Sequence, residues 1–359
     1  MNFNISCYTN KVVIITGHTG FKGAWLSLWL KELGAKIIGI SKGVVHNKGL
    51  YVDMAKKNYF CKEYFFDIQN SDRLTSIIEG EKADFIFHLA AQPIVSESFK
   101  NPKETFLTNA IGTLNILESV KNVKKKTCLI IITSDKCYEN IETIYGYREI
   151  DAMGGKDPYS ASKGCAELIA NSYLRSIYNN NNLVSIATAR AGNVIGGGDW
   201  SKSRLIPDAV KAWESKKELV IRSPKSTRPW QHVLEPISGY ILLGKYIYSK
   251  KIKCSELSEA SFNFGPDSSD IKSVETVIDL FSVYWENSSI RIEPDFNINE
   301  SGLLNLSYDK ACNILNWSPS LGILKALEFT ANWYISQSKG LDMIDLSKKQ
   351  IKDFCKLNG

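Results

Sequence analysis

The segment KVVIITG (11–17) runs without a break into HTGFKG and then into AWLSLWLKELG (24–34). An uninterrupted Val/Ile run reads as a strand buried on both faces, and such strands belong to parallel sheets covered by helices on either side. Gly17, Gly20 and Gly23 follow at once in the spacing GxxGxxG, so a tight turn delivers the chain into an amphipathic helix. That strand–turn–helix order constrains the fold more than any other feature of the chain. Glycines here let the backbone approach a pyrophosphate, which the helix N-terminus welcomes, although a turn made only for packing has the same spacing. The phosphate-loop pattern is not met, because Lys22 lacks the preceding glycine and the following Ser or Thr.

The alternation continues. AKIIGIS (35–41), FFDI (65–68), ADFIFHLAA (83–91), KTCLIIITS (126–134) and LVSIATAR (183–190) read as strands. SDRLTSIIEG, FLTNAIGTLNILESVK and YSASKGCAELIANSYLRSIY read as the helices between them. The expected class is α/β: a Rossmann-type doubly wound parallel sheet with a smaller C-terminal α/β substrate-binding domain. Beyond residue 193 Gly, Trp, Pro and charged residues cluster in GNVIGGGDW and SPKSTRPWQH, and the alternation becomes irregular. We therefore expect a dinucleotide domain over 1–192, with 233–264 returning to it through PISGYILLGKYIYS and SFNFG. Residues 193–232 and 265–359 would form the second domain.

Several classes fall away on composition. No apolar run reaches the roughly 18 residues of a membrane span, and MNFNISCYTNK has neither the basic nor the apolar part of a signal peptide, so a cytoplasmic protein is expected. The eight cysteines (Cys7, Cys61, Cys128, Cys137, Cys165, Cys254, Cys312, Cys355) form no CxxC pair and meet only four histidines. Neither a zinc site nor a disulfide framework is expected. The net charge of +6 is dispersed, and KNVKKK (121–126) reads as a solvated connection rather than a nucleic-acid surface.

Two clusters carry chemistry. TSDKCY (133–138) puts a hydroxyl, an acid and a lysine at the end of a buried strand, where charges need partners or a change of protonation. Tyr159 and Lys163 form YxxxK, which places an ammonium one helical turn from a phenol. Tyr246 and Lys250 repeat the spacing, but they do not follow such a strand end. The second strand ends in ISKG, with no carboxylate for an adenine ribose, so Ser41 and Lys42 leave NADP open beside NAD. Asp67 suits either the adenine edge or a turn.

Together TGHTGFKG, FHLAAQP (87–93), TNAIGT (108–113), TSDKCY, YSASK and RAGNVIGGGDW (190–200) resemble the extended short-chain dehydrogenase/reductase superfamily. Within it, GHTGFKGAWLSLWL, AMGGKDPYSASKGCAEL, RLIPD and RPWQHVLEPISGY are most similar to the CDP-glucose 4,6-dehydratases, from about residue 11 to 335. The resemblance implies CDP-glucose as substrate, NAD that is retained and recycled, and a homodimer or homotetramer built on helices over 103–121 and 158–178. In such a site Tyr159 takes the C4 hydroxyl proton, Lys163 lowers its pKa and holds the nicotinamide ribose, and Ser134 bonds near the C4 oxygen. Asp135 is the acid for the departing C6 hydroxyl and Lys136 the base for the C5 proton, where related dTDP-glucose and GDP-mannose dehydratases carry glutamate at the second position. These roles need a protonated Asp135 and a neutral Lys136; an ion pair between them would oppose both, so a proton passed between them is the alternative. The implied cofactor contacts are Gly17, Gly20, Phe21, Gly23, Asp67, Ile68, Leu89, Ala90, Ala91 and Asn109. The implied substrate contacts are Gln92, Asn193, Arg204, Arg228, Trp230 and His232, with Trp230 also readable as a core anchor. His18 and His88 are expected to support backbone. A nucleotide-sugar 4-epimerase would use Tyr159 and Lys163 without Asp135 and Lys136, and a dinucleotide-sensing binder would need no turnover.

Overall fold

The computed structural model describes residues 5–179, 181, 183–249, 257–293 and 303–357. Cys254, Lys250 and parts of the 179–182 turn lie outside them. Six strands, β1 (Val12–Thr16), β2 (Lys36–Ser41), β3 (Lys62–Phe65), β4 (Phe85–His88), β5 (Thr127–Ile132) and β6 (Val184–Ala191), join strand Ser261–Phe264 in one sheet. Its order is Ser261–Phe264, β6, β5, β4, β1, β2, β3, and every pair is parallel. Chain direction therefore reverses its spread between β1 and β4, which opens a crevice beyond their C-terminal ends.

Alternation explains the apolar runs. Val13, Ile15, Phe85, Phe87 and Ile130 face one layer with helices Phe21–Glu32 and Leu234–Ser249, while Ile14, Ile38, Ile86 and Leu129 face the other, with Leu74, Ile116 and Leu174. The third strand lies earlier than the expected 65–68, because Glu63 and Tyr64 pair with Gly39 and Ile40 while Asp67 and Ile68 pass beyond the sheet. The helix expected over FLTNAIGTLNILESVK begins earlier, at Pro102–Phe106, loosens into a π turn at Leu107–Ile111 and resumes at Gly112–Ser119.

Beyond β6 the chain builds three small pairings. Gln231–His232 runs parallel to Val194–Ile195, Thr227–Pro229 antiparallel to Ile271–Ser273, and Ile290–Ile292 parallel to Leu219–Ile221. Helices Leu205–Glu214, Val274–Ser282, Ile323–Ser338 and Met343–Leu357 pack around them. No described helix is long and apolar enough to cross a membrane.

Glu235, at the start of helix Leu234–Ser249, is fully buried. Its Oε1 accepts from the backbone N–H groups of Ser320 and Leu321 at 2.8 and 2.6 Å, and its Oε2 has no partner. Burial pushes its pKa up from 4.5 to about 7. The folded state thus holds a proton that the unfolded chain releases near its ordinary value, and stability falls as pH rises through that interval until both states are ionised. With each pKa unit equal to about 1.4 kcal/mol, Glu235→Gln should be more stable than wild type by about 3 kcal/mol at pH 8 and equal to it near pH 4. Urea unfolding at the two pH values measures this, and a pH-independent difference would rule it out.

Candidate active site

Strand β5 ends at Ile132, and the next residues turn sharply. Ser134 Oγ accepts from the Lys136 N–H at 3.3 Å and caps a single 3-10 turn, Asp135–Cys137, which folds Asp135 and Lys136 over the strand end. Opposite lies helix Pro158–Ser176, started by Asp157, which accepts from the Ser160 N–H at 3.0 Å, and by Pro158 in its first turn. Tyr159 and Lys163 thereby sit one turn apart, both buried, facing the strand end.

The sequence cluster is therefore a spatial one. Ser134 donates to Asp135 Oδ1 at 2.8 Å, and its hydroxyl acts to lower the pKa of the Tyr159 phenol. Asp135 Oδ2 is buried without a partner. Burial raises the Asp135 pKa against the lowering influence of Lys136, Ser134 and Lys22, which favours the protonated acid. Desolvation brings Lys163 down to about 8. Desolvation also drives Tyr159 up to about 12, and the influences that lower it are Ser134 and Arg204 rather than the expected Lys163. What the phenol still needs in order to ionise must come with the ligands.

One cleft of about 1920 Å³ contains these groups. Drug-sized ligands occupy roughly 300–1,000 Å³, so the space suits two nucleotide-sized molecules end to end. Its dinucleotide half fits the glycine turn. Gly17 holds φ +75° and packs so closely on Ala90 that a Cβ would meet the Ala90 nitrogen at 2.8 Å, and a Cβ on Gly23 would meet the Gly17 carbonyl oxygen at 2.2 Å. Gly17, Gly20, Phe21, Gly23, Asp67, Ile68, Leu89, Ala90 and Ala91 all line it. Asn109 does not: it lies behind the wall, where its amide accepts from the Gln92 N–H at 2.8 Å and donates to Ser162 Oγ at 2.9 Å. No described group of three or more His, Cys, Asp or Glu side chains is placed to hold a metal ion.

The other half is lined by Gln92, Asn193, Arg204, Arg228 and Trp230. Arg204 Nη1 lies 3.5 Å from Asp199 Oδ2, and Trp230 donates to the Lys272 carbonyl at 3.0 Å, so it is at once a core anchor and cleft wall. The Gln92 side chain is spent on Thr105 and the Ile94 N–H. His232 is placed away from the cleft: fully buried and edge-on to the rings of Trp25 and Phe329, it has its pKa lowered to about 3 by desolvation. His18 and His88 are internal, bonded to Ser41 and Glu63 and to Thr16 respectively.

The sequence profile described as GDP-mannose 4,6 dehydratase matches residues 14–329. The chain belongs to that family. A CDP-glucose 4,6-dehydratase of Salmonella typhimurium is 42% identical over 352 residues, covering 97% of each chain. A UDP-glucose 4-epimerase of Mycoplasma genitalium is 28% identical over 70% of this chain and 76% of its own. Among solved structures, the DesIV dTDP-glucose 4,6-dehydratase of Streptomyces venezuelae with NAD and TYD bound has the same fold, with a TM-score of 0.75 at 20% identity over 93% of this chain and 99% of that one.

Two features of this family member were not assigned a role from sequence. Lys22, which does not fit the phosphate-loop pattern, lines the cleft. Glu167, one turn beyond Lys163, forms a fully buried ion pair with Arg190 at 2.8 Å. The i,i+4 spacing placed Glu167 on the same helix face as Lys163, but nothing local tied it to Arg190.

Proposed function

We propose that the protein is an NAD-dependent nucleotide-sugar 4,6-dehydratase whose substrate is CDP-glucose, converted to CDP-4-dehydro-6-deoxyglucose and water. The observation that carries the reading is the buried Asp135, with an oxygen left unpaired beside Lys136, Tyr159 and Lys163. A 4-epimerase needs no acid there. The extensive likeness to the Salmonella enzyme supports the cytidine nucleotide.

NAD, which the glycine turn at Gly17, Gly20 and Gly23 would hold, would supply reversible hydride transfer, so the reaction leaves no net oxidation. Tyr159, whose ionisation Ser134 favours, takes the C4 hydroxyl proton, and Lys163 supplies a nearby positive charge. Lys136 takes the proton from C5, Asp135 gives its proton to the C6 hydroxyl, which leaves as water, and Lys136 returns its proton to C5 when C6 is reduced. Arg204 and Arg228 hold the diphosphate through their planar guanidinium groups. NAD rather than NADP suits the adenosine end, because the Lys42 ammonium is held by Asp67 at 2.8 Å and Glu104 at 3.3 Å. The Ser41 hydroxyl is likewise turned inward onto His18 at 3.0 Å. Neither is left for a 2′-phosphate.

The dinucleotide domain in this reading spans 1–192 and regains 233–264, which contributes helix Leu234–Ser249 and the edge strand Ser261–Phe264. Seven unpaired cysteines among the described residues suit a reducing cytoplasm. Exposed Ile111 and Leu168, on the two helical segments beside the site, support a homodimer or homotetramer, which a monomer in light scattering at micromolar concentration would refute.

The test is to incubate the protein with CDP-, UDP-, dTDP- and GDP-glucose, each with NAD or NADP, and to weigh the nucleotide sugars. Loss of one water from CDP-glucose with NAD is expected. Unchanged mass with C4 inversion by NMR would establish an epimerase instead.

A further inference from the structure

The first turn of helix Pro158–Ser176 needs acceptors for its leading N–H groups, because no earlier turn supplies them. Pro158 has no N–H to satisfy, Ser160 donates to the Asp157 carboxylate at 3.0 Å, and Ala161 donates to the Asp157 carbonyl at 2.9 Å. The Tyr159 N–H finds its partner elsewhere: it donates to Ser98 Oγ at 3.2 Å, 61 positions earlier in the chain. Ser98 belongs to the short helix Val95–Lys100 that follows β4, and it is fully buried. Its own hydroxyl proton goes to the Val95 carbonyl at 2.7 Å, so towards Tyr159 it only accepts.

The carbonyl of Tyr159 is held from the same wall. It accepts from Ser162 Oγ at 2.7 Å, and that oxygen in turn accepts from the Asn109 amide at 2.9 Å. Asn109 is fixed on the Gln92 main chain, accepting from its N–H at 2.8 Å and donating to its carbonyl at 3.1 Å. Tyr159 is thus gripped at both ends of its main chain by the segment between β4 and β5. Val95, Ser96 and Phe99 of the same short helix line the cleft, Phe99 with 64% of its surface open. The wall available to a ligand is therefore also the wall that sets the place of the tyrosine.

We propose that Ser98 is a positioning residue for the oxidation at C4: by accepting the Tyr159 N–H it fixes the backbone from which the phenol reaches the sugar. The proposal rests on the role given to Tyr159 above, and on no more of that reading than the C4 step, which a 4-epimerase shares. Without the Ser98 oxygen a buried donor is left unsatisfied, and the first turn relieves it by tilting. Asn109 and Ser162 still hold the carbonyl side, so the residue pivots and the displacement is largest at the phenol oxygen, the far end of the side chain. A reacting group misplaced by about 1 Å costs roughly 100-fold in rate.

The test isolates the C4 step. CDP-6-deoxyglucose has no C6 hydroxyl to lose, so on the NAD-loaded enzyme its C4 hydrogen passes as hydride to the nicotinamide, its hydroxyl proton passes to Tyr159, and the reduced cofactor is read by stopped-flow absorbance. Ser98→Ala should slow that signal by about 10- to 100-fold. The half-saturating sugar nucleotide concentration should stay within about 2-fold of wild type, because a transition-state interaction and not uniform binding is lost. The acidic limb of the rate should move to higher pH, since a phenol withdrawn from the Ser134 hydroxyl, which lowers its pKa, ionises less readily. In the cofactor-free protein, labelled with 15N-tyrosine, the Tyr159 amide should exchange with heavy water about 10-fold faster in Ser98→Ala than in wild type. Ser160→Ala is the control: it removes a bond at the same helix start, to Asp157 Oδ2 at 2.6 Å, and leaves the Tyr159 N–H alone, so it should lower the urea midpoint without moving the acidic limb. Ser98→Cys fills the same space with a weak acceptor, covers the case that Ser98→Ala does not fold, and should show the same changes to a lesser degree. Wild-type rate, limb or amide exchange in the folded Ser98 variants, or a limb moved equally by Ser160→Ala, would overturn the proposal and leave Ser98 a tie between two helices. If wild type forms no reduced cofactor with the 6-deoxyglucose of CDP, UDP, dTDP or GDP, the reading of the site itself fails and takes this inference with it.

Discussion

Asp135→Asn is expected to slow the loss of water from CDP-glucose by about 100- to 10,000-fold, the usual worth of a positioned general acid. Asparagine keeps the shape and still accepts the Ser134 hydroxyl on the atom that replaces Oδ1, which lies 2.8 Å away, but it has no proton to give. Because Tyr159 and Lys163 are untouched, oxidation at C4 continues, and the variant should accumulate reduced nicotinamide in a single turnover. Lys136→Met separates the other half of the elimination. It should abolish deuterium uptake at C5 from heavy water, whereas Asp135→Asn leaves that uptake intact. The pH dependence has a definite sign: burial raises the Asp135 pKa, so its active protonated form is lost as pH rises through that raised value. Asp135→Asn should remove this alkaline limb from the dehydration profile. Unchanged kcat in Asp135→Asn, or no reduced cofactor in it, would refute the division of labour.

Much of this site is legible in the chain because it is local. The glycine turn, the TSDK strand end and the YSASK helix start each occupy a few consecutive residues, and a parallel sheet brings successive strand ends to one edge, so their order along the chain becomes neighbourhood in the cleft. What sequence conveys less well is depth. His232 lies two residues from Trp230, yet the strand pairing of Gln231–His232 with Val194–Ile195 seats it among Trp25 and Phe329 instead of in the cleft. Asn109 is similar: its motif lies in the right region, but the π turn directs its amide to the back of the wall. Lys22 was hidden for another reason. The phosphate-loop spacing says nothing of it, whereas groups that share its cleft, such as Asp135 and Arg204, stand over a hundred positions away in the chain. The third strand was placed late because FFDI is the more apolar stretch, while the sheet edge tolerates the half-exposed Glu63 and Tyr64.

The largest expected effect on stability lies beneath the site. Glu167 and Arg190 are both fully shielded from solvent, with Arg190 Nε and Nη2 donating to the two Glu167 oxygens at 3.0 and 2.8 Å. Thr133 and Thr188 also donate to that carboxylate, and Arg190 Nη1 donates to the Tyr138 hydroxyl at 2.6 Å and the Glu149 carbonyl at 3.3 Å. Each charge is thus surrounded by bonds, and the Arg190 guanidinium beside Glu167 holds the carboxyl below its ordinary range despite burial. Desolvation makes such a pair a weak source of net stability, but removing one member strands the other charge, and Arg190→Met should cost about 3–5 kcal/mol in denaturant unfolding. Replacing both, as Arg190→Met with Glu167→Met, removes the stranded carboxylate and should recover at least half of that loss. The pair also joins the residue before Ser134 to the helix that carries Tyr159 and Lys163, so the single variant should weaken NAD binding as well as stability, and the double variant should restore stability more fully than binding. A single-variant cost under about 1 kcal/mol, or a double variant no more stable than the single, would show that the carboxylate is not stranded when its partner is lost.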